Sequence, residues 1–336
     1  MTKTENFANW YDKNYKKLLI LPALLLILSL AYLGYFYSQN QDIIHKDVSL
    51  TGGTTITISS SVSLEDLKQE LSQTFQDLEI RTISDNTGQQ TRLIITVPDE
   101  PEVIVPILED YLGFKLTEEN SSLEFTGSSL SQDFYTQLQI ALIAAFLLMA
   151  LVVFLIFSKK LKIKFFVFIL TLGVLILFAW LKGIFLLIPF VGLIIILYFY
   201  IKYSIPSFAV IVSAFADIVM TLALVDILGL KISTAGIVAF LMLIGYSVDT
   251  DILLTTRMLR RKESIRRALF GAFKTGTTMT LTSIFALIAA LITVYTISPV
   301  LTQIFSILLI GLVFDLFNTW ITNASLIKWY AEAKLQ

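Results

Sequence analysis

Four aspartates stand inside otherwise apolar stretches of this 336-residue chain: Asp217, Asp249, Asp251 and Asp315. A charge in a hydrocarbon layer costs at least about 2.5–3.5 kcal/mol on insertion scales, so carboxyls kept there are candidates for a proton relay or a gate. Asp217 and Asp315 lie near the middle of their stretches; Asp249 and Asp251 lie toward one end of theirs. On a regular helix positions 249 and 251 point about 200° apart. One is therefore expected to face an internal cavity and the other a neighbouring helix or a partner subunit. A fifth carboxyl, Asp226, is close enough to the end of its stretch to reach water. No Lys or Arg within the apolar stretches is an obvious partner for the four. The competing reading is that they only bind helices together through hydroxyl and amide donors. Such donors abound at Thr275, Thr277, Thr278, Thr280, Thr282 and Ser283, and again at Asn318, Thr319, Thr322 and Asn323. Thr250, Thr278, Thr282 and Asn318 are the expected polar helix contacts.

Other chemistries find few residues to carry them. There is no cysteine, hence no disulfide, thiol nucleophile or thiolate metal site. The one histidine, His45, rules out a histidine cluster and reads as a surface residue. No glycine-rich loop precedes a helix, and no base is placed beside a nucleophile. The expectation is a chain that is not an enzyme, with no cofactor and no metal. A formal net charge of −1 gives no reason to expect nucleic acid.

The elements that must position the aspartates are membrane helices. The chain is 56% apolar with a mean hydropathy of +0.77, above the 45–50% or so of soluble domains. A span needs roughly 20 apolar residues. Eight stretches qualify: 18–37, 137–157, 165–181, 184–201, 206–228, 234–256, 275–295 and 301–327. The first follows lysines as a signal peptide does, but it is longer than such a segment and lacks a small-residue cleavage site, so it reads as an uncleaved helix. Lys and Arg collect on the cytoplasmic side of membrane proteins. With the N-terminus inside, the inner segments carry 18 of them and the short outer loops only Lys182 and Lys231. That predicts a multi-pass plasma-membrane protein with both termini cytoplasmic.

The stretch 38–135 is the long hydrophilic segment and is expected outside. It holds 17 acidic and five basic residues, a net of −12, which reads as a solvated surface or as one that handles emerging polypeptide. Alternating β-branched residues mark strands at 54–60, 79–84, 91–97 and 122–125. Helices are expected after a Ser63 N-cap, along the stripe Leu64, Leu67, Leu71, and at 103–112. Asp85-Asn86-Thr87-Gly88 reads as a turn. The order β-α-β-β-α-β is ferredoxin-like, a fold that does not name a function.

The run Leu243-Ile244-Gly245-Tyr246-Ser247-Val248-Asp249-Thr250-Asp251-Ile252-Leu253-Leu254-Thr255-Thr256-Arg257 resembles the signature of archaeal SecF proteins. Val48-Ser49-Leu50-Thr51-Gly52-Gly53-Thr54 resembles the family's D-x-x-G-G-T motif, which marks Gly52, Gly53 and Thr54. Ser213-Ala214-Phe215-Ala216-Asp217-Ile218 and Phe314-Asp315-Leu316-Phe317-Asn318-Thr319-Trp320 also fit archaeal members. The resemblance implies an RND-like half bundle with one external domain. It also implies a SecD-like partner, a SecYE-type Sec channel, a translocating polypeptide, surrounding membrane lipid and use of the proton-motive force. In bacterial members an aspartate follows the Gly-Tyr-Ser start and an arginine lies in the next helix; the aligned positions here are Thr250 and Thr278. The family has six helices where eight are read here, so the extra pair is an inserted hairpin turning at Lys182-Gly183.

The expected organisation is then an N-terminal segment 1–17, a first span 18–37, an external domain 38–135, a second span 136–158, the hairpin 159–202, a four-helix remainder 203–328 and a terminal segment 329–336. The alternative function is a half-size RND-type small-molecule transporter subunit.

Overall fold

The computed structural model describes residues 3–59, 64–75, 78–84, 90–181, 187–260 and 264–334. The Ser63 cap, the Asp85–Gly88 turn and the Lys182-Gly183 turn lie outside the described residues.

The helices run α1 (Lys3–Leu18), α2 (Ile20–Asn40), the single turn α3 (Val48–Thr51), α4 (Leu64–Leu71), α5 (Pro101–Leu112), α6 (Ser128–Phe157), α7 (Leu161–Trp180), α8 (Leu187–Tyr203), α9 (Ile205–Ile227), α10 (Thr234–Leu259), α11 (Ile265–Val294), α12 (Pro299–Asn318) and α13 (Ala324–Ala333). A π turn, Thr319–Asn323, joins α12 to α13 without a break. Seven described helical segments are long and apolar enough to cross a membrane; α8, at 17 described residues, is apolar but shorter. Helix starts carry local signals. Ser233 accepts a hydrogen bond from Gly236 N at 3.3 Å at the head of α10, and Ser298 accepts one from Leu301 N at 3.3 Å ahead of Pro299 in α12. These side chains satisfy amides that a helix end leaves open.

Helices α9 and α10 form the centre of the bundle, with 61% and 56% of their spans buried against 11% for α11. Without water to drive helices together, close backbone approach must do the packing, and small residues permit it. A Cβ on Gly276 of α11 would lie 2.6 Å from the Trp320 ring and 3.2 Å from Thr250 Cγ2; one on Gly311 of α12 would lie 2.5 Å from Leu243 of α10. The stretch read as an inserted hairpin contains α7, which packs on α6, and α8, which packs on α9. Phe154 and Tyr200 meet there with ring centroids 4.6 Å apart.

The region between α2 and α6, expected to be external, has strands β1 (Gly53–Ile58), β2 (Glu79–Ser84), β3 (Gln90–Val97) and β4 (Ser121–Thr126), all paired antiparallel in the order β2-β3-β1-β4. Ile56, Ile58, Leu93, Ile95 and Val97 pack against Leu67 and Leu71 of α4 and Ile104 and Leu108 of α5. This is the ferredoxin-like arrangement, each element within about two residues of its expected bounds. Gly52 and Gly53 have φ of 89° and 139°, and a Cβ on Gly52 would lie 2.5 Å from Ser128 Cα. The Gly-Gly-Thr motif thus lets β1 start against the head of α6. Thr54, fully buried, donates to Asp99 O at 2.6 Å.

The external region is stitched to the bundle. Ile232 N donates to His45 O at 2.6 Å, and Asp47 N donates to Ile232 O at 3.0 Å. Asp226 is buried, with Oδ1 accepting from His45 N at 3.2 Å, and so does not reach water as its place near a helix end suggested. The reason is that the segment after α2 folds back over the loop between α9 and α10. His45 is likewise half-buried, edge-on to Phe36 at 4.6 Å, rather than a surface residue. Tyr135 of α6 donates to Asp42 Oδ1 at 2.5 Å, and Lys46 pairs with Asp42 at 2.9 Å.

At the opposite end, residues read only as a terminal segment form α1, which clasps α13. Lys328, 3% exposed, bonds the Asp12 carboxylate and lies 3.8 Å from Glu332. Its amine sits 4.4 Å from the Tyr15 ring centroid and 5.2 Å from that of Tyr11. Tyr15 donates to Glu332 Oε2 at 2.5 Å, and the Tyr11 and Ser325 hydroxyls are 3.1 Å apart.

Two outcomes follow from this packing. Gly311→Leu should lower the unfolding free energy by about 1–3 kcal/mol through overpacking, read as a lower melting temperature in detergent. The same change at Gly173, where nothing lies within 4 Å of the added carbon, should be close to silent. At Asp47, burial pushes the carboxyl above its ordinary range, opposed by the bond it accepts from Val48 N at 2.7 Å. The folded state then holds that proton more tightly than the unfolded chain. Its stabilising contribution is whole below the unfolded value, about 3.9, and is lost as pH rises through the folded one. Asp47→Asn keeps the α3 cap, so its melting temperature should gain on the parent between pH 4 and pH 8; a constant difference would contradict this.

Candidate functional site

Three of the four aspartates meet where α9, α10 and α12 cross. Asp217, Asp251 and Asp315 are each fully buried. Asp217 Oδ2 accepts from Ser247 Oγ of α10 at 2.5 Å, and its Oδ1 accepts from Asn318 Nδ2 of α12 at 2.7 Å. Both oxygens of Asp217 are therefore paired. Asp251 Oδ1 accepts from Thr319 Oγ1 at 2.9 Å and from Asn323 Nδ2 at 2.8 Å. Asp315 Oδ1 lies 3.2 Å from the same Thr319 hydroxyl. Thr322 donates to Asn318 Oδ1 at 3.2 Å, which orients that amide.

The π turn delivers these donors. It adds a residue to one turn of the helix, and such turns recur at functional sites. Asn318, at its leading edge, reaches α9, while Thr319 and Asn323 reach α10.

Thr319 has one hydroxyl proton and two carboxylate neighbours. Asp251 Oδ2, Asp315 Oδ2 and Asn323 Oδ1 are buried with no hydrogen-bond partner; the likewise unpartnered Ser213 hydroxyl is near Asp251, and the Ser247 hydroxyl is near Asp315. Among the described residues no Lys or Arg forms an ion pair with any of the three carboxyls. An uncompensated buried charge costs several kcal/mol. Among the described residues no group of three or more His, Cys, Asp or Glu is arranged to hold a metal ion.

The other candidate residues lie elsewhere. Asp249 is exposed, on a face of α10 shared with Val238, Met242 and Tyr246, each more than two-fifths exposed. Asp249 and Asp251 thus point apart as their spacing requires. Thr250 is buried against Gly276. Thr278 and Thr282 are exposed on α11 and bond back to Lys274 O at 2.7 Å and Thr278 O at 2.8 Å. A hydroxyl satisfied by its own helix can face lipid. Gly52, Gly53 and Thr54 lie in the external region, away from the cluster. Ser247 and the pairing of Thr319 and Asn323 with Asp251 were not singled out from sequence; the polar spacing 315, 318, 319, 322 and 323 was the available signal.

Removing the shared donor by Thr319→Val, or the amide by Asn318→Leu, should each cost roughly 1–3 kcal/mol, because each strands a buried acceptor. Asp249→Asn should be nearly neutral in the isolated chain. Melting temperatures in detergent give the ranking, and a larger loss at Asp249 than at Thr319 would contradict the placement.

Comparison with known proteins bears on what this arrangement serves. A family model described as "Protein export membrane protein SecD/SecF, C-terminal" matches residues 177–333. The SecF protein-export membrane protein of Methanocaldococcus jannaschii is 33% identical over 326 residues, covering 95% of this chain and 96% of that one. The SecF of Methanothermobacter thermautotrophicus is 31% identical over 328 residues, covering 96% and 94%. Among solved structures, the translocon-associated SecDF of Thermus thermophilus superposes with a TM-score of 0.59 at 16% identity, a likeness of fold alone. It covers 97% of this chain, which spans 38% of that longer one. With a third of its residues shared along nearly its whole length with an archaeal relative, this multi-pass membrane protein belongs to the SecF family of protein-export membrane proteins.

Proposed function

We propose that this chain acts with a SecD-like subunit at a SecYE-type Sec channel, and couples an ion gradient, the proton-motive force first, to the movement of polypeptide outside the membrane. The observation that carries this is the buried Asp217–Asp251–Asp315 cluster, with unpaired carboxyl oxygens and no cationic partner among the described residues. In this reading Asp251 and Asp315 exchange a proton through the Thr319 hydroxyl that both approach, and Asp217 is held by Ser247 and Asn318 as the fixed neighbour.

Asp249 is the partner-facing carboxyl. A charge on a lipid-exposed helix face is costly, whereas a subunit interface or a wetted cavity accepts it. The solved SecDF chain carries further length beyond the part that this chain superposes on, which suits a second half bundle seated on the face of Val238, Met242, Tyr246 and Asp249. On the outside, edge strand β4 exposes Leu123 and Phe125, each nearly half accessible. Such an edge can pair with an extended segment of SecD or of the exported chain. Both termini and the segments after α6, α8 and α10 are placed in the cytoplasm, and residues 38–135 outside, on the bias of basic residues. Movement at the cluster reaches the external region through α9 and α10, whose connecting loop bonds residues 45–47.

The test is gradient-driven export in proteoliposomes holding this chain, its SecD partner and the channel. Asp251→Asn with Asp315→Asn should remove the stimulation by a proton gradient while SecD still co-purifies. Asp249→Asn should weaken SecD retention instead. Full gradient-dependent stimulation in the double variant would falsify the coupling, and protease access to residues 38–135 from the cytoplasmic face would overturn the orientation.

A further inference from the structure

From residue 134 to residue 216 the chain contains no acidic residue, yet it carries six lysines. Four of them, Lys159, Lys160, Lys162 and Lys164, surround the start of α7, and Lys202 lies at the end of α8 beside them. Lys164 is engaged, donating to Leu155 O at 2.5 Å. None of the five forms an ion pair; the described ion pairs belong to Lys46, Arg81, Lys231 and Lys328.

These amines are not simply loose in water. Lys160 and Lys202 lean on one aromatic ring, that of Tyr203, each with its amine 5.6 Å from the centroid. Lys202 also donates to Tyr198 Oη at 2.7 Å. The Tyr203 ring stacks on Phe199 at 5.6 Å, and Phe199 in turn packs on Phe166 of α7 at 5.0 Å. A base built from both helices thus brings the two amines together. The start of α7 adds the positive end of a helix dipole, and the hydroxyl of Ser158, beside it, is buried without a partner.

We propose that this cationic collar at the foot of α7 and α8 is a binding site for the phosphate headgroup of an anionic phospholipid. The bias of positive charge to one membrane face accounts for the lysines being there. It does not account for their convergence on a shared ring with no carboxylate to neutralise them. A lipid rather than free phosphate is the occupant, because the helices above the collar present apolar faces: Phe165, Ile169 and Ile194 are all more than half exposed. The headgroup meets the amines and its acyl chains lie along those faces. The role assigned to the hairpin is to hold the bundle against the anionic lipid of its own leaflet.

The full chain, purified in detergent, is tested by native mass spectrometry with equal mole fractions of phosphatidylglycerol and phosphatidylcholine as probes. The parent should retain phosphatidylglycerol in preference. Lys160→Gln with Lys202→Gln should cut that preference roughly tenfold to thirtyfold, at about the interaction expected for two basic residues near an anionic surface. Lys159→Gln with Lys162→Gln should cut it less, and Lys13→Gln with Lys17→Gln on α1 should leave it intact. Equal retention of the two lipids by the parent, an unchanged preference in the Lys160/Lys202 variant, or an equal loss in the α1 variant would each overturn the site. Displacement of the lipid by millimolar inorganic phosphate would overturn the choice of occupant.

Discussion

Inside a hydrocarbon layer there is no water to pair a polar atom, so every buried oxygen must find its donor within the protein. Three carboxyls at one helix crossing make that demand severe. The hydroxyls of Ser247 and Thr319 and the amides of Asn318 and Asn323 reach four carboxylate oxygens, Thr319 shared between two of them, and none is bonded to the outer oxygens of Asp251 and Asp315. Much of the surrounding architecture serves this crossing. The absent side chains at Gly276 and Gly311 let α10, α11 and α12 approach closely. The π turn carries Thr319 and Asn323, which reach Asp251 of α10, while Asn318 just before it reaches Asp217 of α9.

Position in the bundle separates the aspartates by role. Asp217 is saturated with donors and has little freedom to change partners. Asp251 and Asp315 share a single hydroxyl, so a small rotation of Thr319 favours one or the other. Asp226 serves a different end, receiving the His45 amide and fastening the external region to the head of the bundle. Asp249 touches none of this network and leaves its charge for whatever lies alongside α10.

Much of this was legible in the residues. The α+β fold of the region between α2 and α6 followed from β-branched alternation and the leucine stripe of α4, and its strand order is the one expected of that pattern. The divergence of Asp249 and Asp251 is a matter of helical geometry. The partners of each carboxyl were not legible, because Ser247 and Asn323 are ordinary polar residues until the rotation of each helix is set by packing. A π turn likewise leaves no local mark, since Thr319–Asn323 has no proline or glycine to announce it. His45 and Asp226 depart from their expected exposure for a related reason. Exposure at a chain reversal depends on what folds over it, and the covering segment lies some 180 residues away in sequence.

The clasp of α1 on α13 has a consequence for how the molecule is made. Its bonds join residues as many as 317 positions apart. During synthesis Tyr11, Asp12 and Tyr15 emerge early, while Lys328 is added only near the end of the last span. Until then Tyr11, Asp12 and Tyr15 have no α13 side chains to bond. Capture of α1 by Lys328 coincides with arrival of the π turn and of Asp315, so the acidic crossing and the ring around the amine are completed in the same final stage of assembly.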